Sequence, residues 1–248
     1  MKILLLDIET APNRVYSWGL WDQNISTNQI EEPGYTLCWA AKFLGERGLR
    51  FASLQSSSMK AMIIGIHSLL NEADAVVHYN GTKFDIPTLN KEFILLGLDP
   101  PSNYKEIDLL KVARARFKFQ SNKLDFVAQA LGVGAKVKHK GMELWKGCMA
   151  NDEKCWRQME KYNKQDVLLL EKVYRRMLPW IKNHPNYGLY TDSDRPVCRN
   201  CGGKHVIKKG IEYTAVGKYH RYKCRECGTH LRGSVLQNNA DERKKLLR

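Results

Sequence analysis

Asp7 and Glu9 stand two residues apart at the end of an apolar run, Lys2 to Thr10, KILLLDIET. Such a run reads as a buried strand, and the alternation of a strand places both acids on one face. Asp85 closes the segment HYNGTKFD, and Tyr162 and Asp166 lie four residues apart in a long helical pattern, so they too share a face. Each has an ordinary explanation when taken singly. Acids cap helices, Asp85 followed by Pro87 suits a helix start, and Tyr162 and Asp166 suit a solvated helix face. Taken together they offer four carboxylates and a phenol from separate elements. That is a hard oxygen donor set, suited to Mg²⁺ or Mn²⁺ rather than to zinc or copper. Two cations about 3.5–4 Å apart stabilise both the attacking and the leaving oxygen when a phosphodiester is hydrolysed in line.

The elements that must position these residues follow from the hydrophobic pattern. A strand at 2–9 is followed by a hairpin from Tyr35–Leu44 and Leu49–Leu54 around Gly45 and Gly48. The pattern then predicts a helix at 58–72, a strand at 74–79, and a helix capped by Asp85 that runs to Leu96 and ends at Gly97 and Pro100-Pro101. A short strand or helix near 106–117 and helices at 123–131 and 152–178 complete the unit. An antiparallel start followed by alternating helix and strand predicts an α/β fold, a mixed sheet flanked by helices. Ala11 to Gly34 reads as a long loop with Tyr16, Trp18 and Trp21 close together. Two accounts fit these aromatics: stacking on the bases of a single strand, with Trp18 as a substrate-binding residue, or pinning the loop to the core.

The ordered signatures resemble those of the DnaQ-like 3′–5′ exonucleases of the RNase H-like superfamily, in the DEDDy branch. The residues that carry the resemblance are Asp7 and Glu9, Asn80 through Asp85, and Tyr162 with Asp166, supported by the helix-like SNKLDFVAQALG from Ser121 to Gly132. It spans roughly residues 1 to 182, and implies an RNase H-like sheet and a two-metal 3′–5′ exonuclease. By resemblance, Asp7 bridges two Mg²⁺ or Mn²⁺ ions, with Glu9 and Asp166 at the nucleophile side and Asp85 at the other. Tyr162 orients the attacking water, since a phenol of pKa about 10 is a poor base at neutral pH. Asn80 and Phe84 shape the pocket for the terminal nucleotide.

A polar, turn-rich stretch, 183–197, leads to Cys198-x-x-Cys201 and Cys224-x-x-Cys227. Two such knuckles present four thiolates for one structural Zn²⁺ and leave no open coordination position, so the unit is structural and nucleic-acid-binding rather than catalytic. The stretch from Tyr219 to Gly228 resembles zinc ribbons of transposases and transcription proteins. About fifty residues bury little core, so the metal would supply most of the folding free energy. The organisation expected is therefore a catalytic domain at 1–182, a linker at 183–197, a zinc ribbon at 198–233 and a basic tail at 234–248. His205, His220 and His230 read as surface or phosphate-contacting residues, and Cys38, Cys148 and Cys155 as packing residues.

The formal net charge is +14 over 248 residues, and it is concentrated. Residues 195–248 hold 14 basic against 4 acidic side chains, and Lys105–Lys140 holds 9 against 3. Such asymmetry points to a polyanionic partner bound with strong salt dependence. No apolar run approaches the eighteen or so residues that span a bilayer, and Lys2–Leu6 is too short for a signal peptide, so no membrane partner and a cytoplasmic location are expected. The expected partner is single-stranded DNA at its 3′ end, with RNA as runner-up and a separate polymerase or repair protein as a further candidate. Two other readings compete: a non-enzymatic nucleic-acid adaptor and a structure-specific endonuclease.

Overall fold

The computed structural model describes residues 1–247. The chain divides into two compact units, one formed by Lys2–Arg114 and Lys118–Val173, the other by Met1, Ala115–Phe117 and the chain from Tyr174 onward.

The first unit is built on strand β1 (Ile3–Thr10), which is followed by a small pair, β2 (Arg14–Val15) and β3 (Ile30–Glu32). The hairpin β4 (Thr36–Phe43) and β5 (Arg50–Ser53) comes next. Helix α1 (Met59–Glu72), β6 (Ala75–His78), α2 (Asp85–Leu95), β7 (Lys105–Asp108) and α3 (Leu109–Arg116) then alternate. Three helices close the series: α4 (Leu124–Ala130), α5 (Met142–Met149) and the long α6 (Glu153–Met177). The main sheet has five strands in the order β5-β4-β1-β6-β7. β4 is antiparallel to β1 and β5, whereas β6 is parallel to β1 and β7. This mixed sheet flanked by helices is the RNase H-like α/β arrangement expected from the pattern.

β1 is central and buried on both faces, which explains why its sequence is a near-continuous apolar run. Leu4, Leu6 and Ile8 pack with Trp39, Met62, Ile66 and Phe93, the side covered by α1 and α2. On the other side Cys38, Leu144, Cys148, Trp156, Met159 and Tyr162 form a second cluster under α5 and α6. Asp7 and Glu9 occupy the opposite parity to Leu6 and Ile8, so they face α6.

Three details differ from the sequence expectation. The segment between β1 and β4 is not a plain loop: Arg14 pairs with Glu32 and Val15 with Ile30, which makes it a small hairpin. Helix α5 was not expected. Its buried residues are only Leu144 and Cys148, and eight residues containing Gly147 give little periodicity to read. Asp85 is the first residue of α2 rather than its cap; Phe84 holds the cap position without a side-chain bond. The Asp85 carboxylate instead accepts the Ile8 backbone N–H at 3.1 Å, which ties α2 to β1.

The second unit carries an antiparallel sheet of β8 (Val206–Tyr213), β9 (Lys218–Cys224) and β10 (His230–Leu236) in the order β10-β9-β8. A short helix, α7 (Ala240–Lys244), follows β10 and is capped by Asn239. Among the described residues no helix is long and apolar enough to cross a membrane.

Candidate active site and cysteine cluster

β1 delivers Asp7 and Glu9, and α6 delivers Asp166. One carboxylate oxygen from each of the three lies within 4.8 Å of the other two. Asp85 stands beside this set, close enough that its charge raises the pKa of both Asp7 and Glu9. Burial pushes Asp7 well above the usual carboxylate range, and the charges of Glu9, Asp85 and Asp166 push it further. Burial likewise takes Glu9 up to about 8 and Asp85 up to about 6. Asp166 is raised by burial too, and Lys136 works against the shift. So many partly desolvated carboxylates at one point repel one another unless positive charge joins them.

The protein supplies one such charge itself. Lys136 Nζ lies 2.5 Å from Asp166 Oδ2 and 3.0 Å from the Tyr162 hydroxyl. Burial opposes its charge, but Asp166 and Tyr162 outweigh that and raise its pKa. A single ammonium leaves the set incompletely satisfied, because Asp166 Oδ1 is buried with no hydrogen-bond partner among the described residues. An oxygen-only cluster of Asp7, Glu9 and Asp166 with an orphaned carboxylate oxygen fits a hard divalent cation, and Asp85 stands beside that triad rather than in it.

Around the acids, orientation is fixed by neighbours. Asn163 Nδ2 donates to Asp7 Oδ2 at 2.7 Å, and the Trp145 indole of α5 stands close enough to Glu9 to lower its pKa. Tyr162 is buried between Trp145 and His139, with ring centroids 6.1 and 4.8 Å away. Its hydroxyl stays protonated, since burial and the charges of Asp166 and Glu9 raise its pKa. Lys136, Asn163, His139 and Trp145 were not singled out from sequence. Asn163 lies inside the Tyr162–Asp166 signature and Lys136 inside the basic stretch Lys105–Lys140, but no spacing rule selects either.

The segment between β6 and α2 is braced from below. Gly81 N–H donates to His78 Nδ1 at 3.0 Å, which leaves the ring proton at Nε2, 3.2 Å from Glu106 Oε2. Thr82 Oγ1 donates to the same Glu106 oxygen at 2.7 Å. Asn80 takes a left-handed backbone, φ 71°, and its N–H donates to Asp108 Oδ1 at 2.9 Å. With Asp7, Tyr79, Arg114, Lys123 and Lys136, Asn80 lines a cavity of about 550 Å³. Phe84 is partly exposed, and Trp18 is fully exposed on the connection from β2 to β3. Tyr16 and Trp21 are exposed as well, so these aromatics do not pin the segment to the core.

In the other unit, Cys198, Cys201, Cys224 and Cys227 place their sulfurs within 4.8 Å of one another. Cys198 and Cys227 sulfurs are 3.5 Å apart, and Cys201 and Cys224 are 3.6 Å apart. A tetrahedron with Zn–S of about 2.3 Å has edges of roughly 3.8 Å, so the cluster fits a tetrahedral zinc site. Without a metal the thiols share protons unevenly: the bond between Cys198 and Cys227 lowers the pKa of Cys227 and raises that of Cys198.

Residues 4–178 match the model of the RNase_H superfamily. The chain belongs to the RNase H superfamily. Membership supports a phosphodiester hydrolase that binds nucleic acid and uses divalent metal. Among solved structures, the family B DNA polymerase from the hyperthermophilic archaeon Pyrobaculum calidifontis is similar to this RNase H-like chain, with a TM-score of 0.54. The match covers 72% of this chain and 24% of the polymerase, at 20% identity. The chain thus spans about a quarter of that polymerase's length, and the likeness speaks for the fold. A comparison with curated proteins finds no match.

Proposed function

We propose that the chain is a DnaQ-like exonuclease of the DEDDy type that removes nucleotides from the 3′ end of single-stranded DNA. The observation that carries this reading is the convergence of the Asp7, Glu9 and Asp166 carboxylates beside Asp85 and the Tyr162 hydroxyl. Two Mg²⁺ or Mn²⁺ ions held by the four acids would stabilise charge on the attacking and leaving oxygens. Asn163 keeps Asp7 oriented for that task. Tyr162, protonated at working pH, orients a water by hydrogen bonding and does not remove its proton. Asn80 lines the cavity proposed for the terminal nucleotide, where Arg114 and Lys123 offer positive charge to its phosphates, and Phe84, exposed at the start of α2, is the ring proposed to cover the nucleotide. Trp18 offers an exposed ring for stacking on the strand.

The proposal extends to the organisation: a catalytic domain at 1–182, a linker at 183–197, a zinc ribbon at 198–233 that is folded around one structural Zn²⁺ and helps hold substrate, and a basic tail at 234–248. A separate polymerase is the proposed protein partner. The test is a time course on end-labelled single-stranded DNA and RNA with free or blocked 3′ ends, in Mg²⁺ or Mn²⁺, beside Asp7→Ala. Stepwise shortening from free 3′ ends, slowed about 10³-fold or more in Asp7→Ala, supports the reading. Cleavage of closed circular strands would make the chain an endonuclease, and tight binding without metal-dependent cleavage would make it an adaptor.

A further inference from the structure

The sheet of the second unit is broken on both sides of one short segment of β9. Register runs from Arg232↔Arg221 to Leu236↔Tyr219, so Gly233, Ser234 and Val235 lie opposite His220 alone. On the other flank it runs from Lys208↔Tyr222 to Ile211↔His220, so two β8 residues lie opposite Arg221. Extra residues force a strand to bulge, and bulges re-aim side chains and open space next to sites. Here the β10 bulge borders a cavity of about 400 Å³, within the range of small-ligand pockets. At Gly233 a Cβ would come 3.2 Å from the Tyr222 ring and 3.3 Å from the His220 carbonyl oxygen, so the bare backbone lets β10 pass this close.

The lining has a definite chemistry. Arg199 and Arg232 are both exposed and border the cavity, and no carboxylate lines it. Arg232 reaches Glu212 only at 4.0 Å, and its guanidinium lies 4.8 Å from the Tyr219 ring centroid. His220 and Tyr222, two apart on β9, project from one face, with ring centroids 6.4 Å apart at 86°. Lys208 Nζ sits 3.0 Å from His220 Nε2. An ammonium only donates, so Nε2 accepts and the ring proton lies at Nδ1, which is buried with no partner among the described residues. Val206 and Leu231 add apolar wall.

We propose that this cavity takes one unstacked nucleotide of a single-stranded nucleic acid, its base against His220 and Tyr222 and its phosphate on Arg199 and Arg232. Flat rings and apolar wall suit a base of any sequence, and two guanidiniums on the lining, one of them (Arg199) also donating to the His184 carbonyl at 2.8 Å, suit a phosphate. The site anchors the strand in the second unit. It rests on the reading that the chain acts on nucleic acid, and not on the direction or chemistry of cleavage.

The test is fluorescence anisotropy of the full chain, zinc-loaded and carrying Asp7→Ala, with a labelled single strand of about twelve nucleotides and no added Mg²⁺ or Mn²⁺. Arg232→Ala and His220→Ala should each weaken binding about tenfold, the scale of one lost base or phosphate contact. Arg225→Ala removes the same charge from an exposed position outside the cavity and should change affinity by less than about twofold. An abasic strand of equal length should bind wild type and His220→Ala equally weakly. Zinc content, measured for each variant, reports whether the unit is folded; if His220→Ala loses zinc, Arg232→Ala decides. Equal losses from Arg232→Ala and Arg225→Ala would reduce the site to diffuse charge, and an abasic strand that binds as tightly as the normal one would remove the base. Either result overturns the proposal. Failure of the exonuclease reading would show separately, as intact binding without cleavage by the protein retaining Asp7.

Discussion

Asp7, Glu9 and Asp85 share one energetic fact: each carboxylate is harder to ionise in the folded chain than in the unfolded one, chiefly through burial. The sign of the linkage follows. Glu9 titrates near 4.5 unfolded and near 8 folded, so the folded state binds more protons between those values. Metal-free protein should therefore lose stability as pH rises from about 5 to 8, with Asp85 adding to the lower part of that window. Divalent metal that binds the ionised acids should reverse the trend, so the rise in Tm on adding Mn²⁺ should be larger at pH 8 than at pH 5. A metal-induced rise that is independent of pH, measured by calorimetry, would argue against cation binding at these groups. Lys136 partly neutralises the same acids. Lys136→Met should lower the metal-free Tm, by about 1–3 kcal/mol of stability for an uncompensated buried charge, and Mn²⁺ should recover part of it. Equal deficits with and without metal would mean that the lysine acts by packing alone.

At the scale of elements, the acid site depends on how β6 is joined to α2. His78, Glu106 and Thr82 hold this turn from beneath, and a Cβ on Gly81 would fall 2.4 Å from His78 Cγ. Gly81→Ala should destabilise the first unit by about 2 kcal/mol or more, through overpacking and loss of the bond to His78. Denaturant melts would check this, and an unchanged midpoint would show that the turn relaxes without cost. The hairpin β2–β3 makes the opposite case, because its aromatic residues are exposed. Trp18→Ala should leave Tm within about a degree and weaken single-strand affinity by roughly 1–3 kcal/mol, the value of one stacked base. Unchanged affinity would assign the ring no role in substrate binding. Periodicity located β1, α1, α2 and α6 well because each has a long, one-sided or continuous apolar pattern. It missed α5, whose eight residues give too few turns, and with it Trp145 and its influence on Glu9.

At the scale of the whole molecule, two units of different stabilisation share one chain. The first has a sheet with apolar clusters on both faces, while the described core of the second sheet is small: Cys198, Cys224 and Leu231 with a few half-buried neighbours. Chelation of zinc or Cys198→Ser should therefore unfold the second unit while the first keeps its cooperative transition. A calorimetric transition that chelator abolishes, beside one that persists, would support this; a single transition insensitive to chelator would not. The charge concentrated in residues 195–248 implies that affinity lost with the unit is salt-dependent.

The sequence by itself determined which donors exist and which elements carry them. Spacing of two on an apolar run put Asp7 and Glu9 on one strand face, spacing of four put Tyr162 and Asp166 on one helix face, and paired Cys-x-x-Cys knuckles marked a metal-sized cluster. These are properties of local geometry, which a chain cannot hide. Tertiary structure alone decided which side chains from distant segments enter the acid cluster: Lys136 reaching Asp166, Trp145 reaching Glu9, and Ile8 holding Asp85. It alone also placed the bulge of β10 opposite His220. These depend on register and on packing between elements far apart in sequence, and neither leaves a periodic trace in the chain.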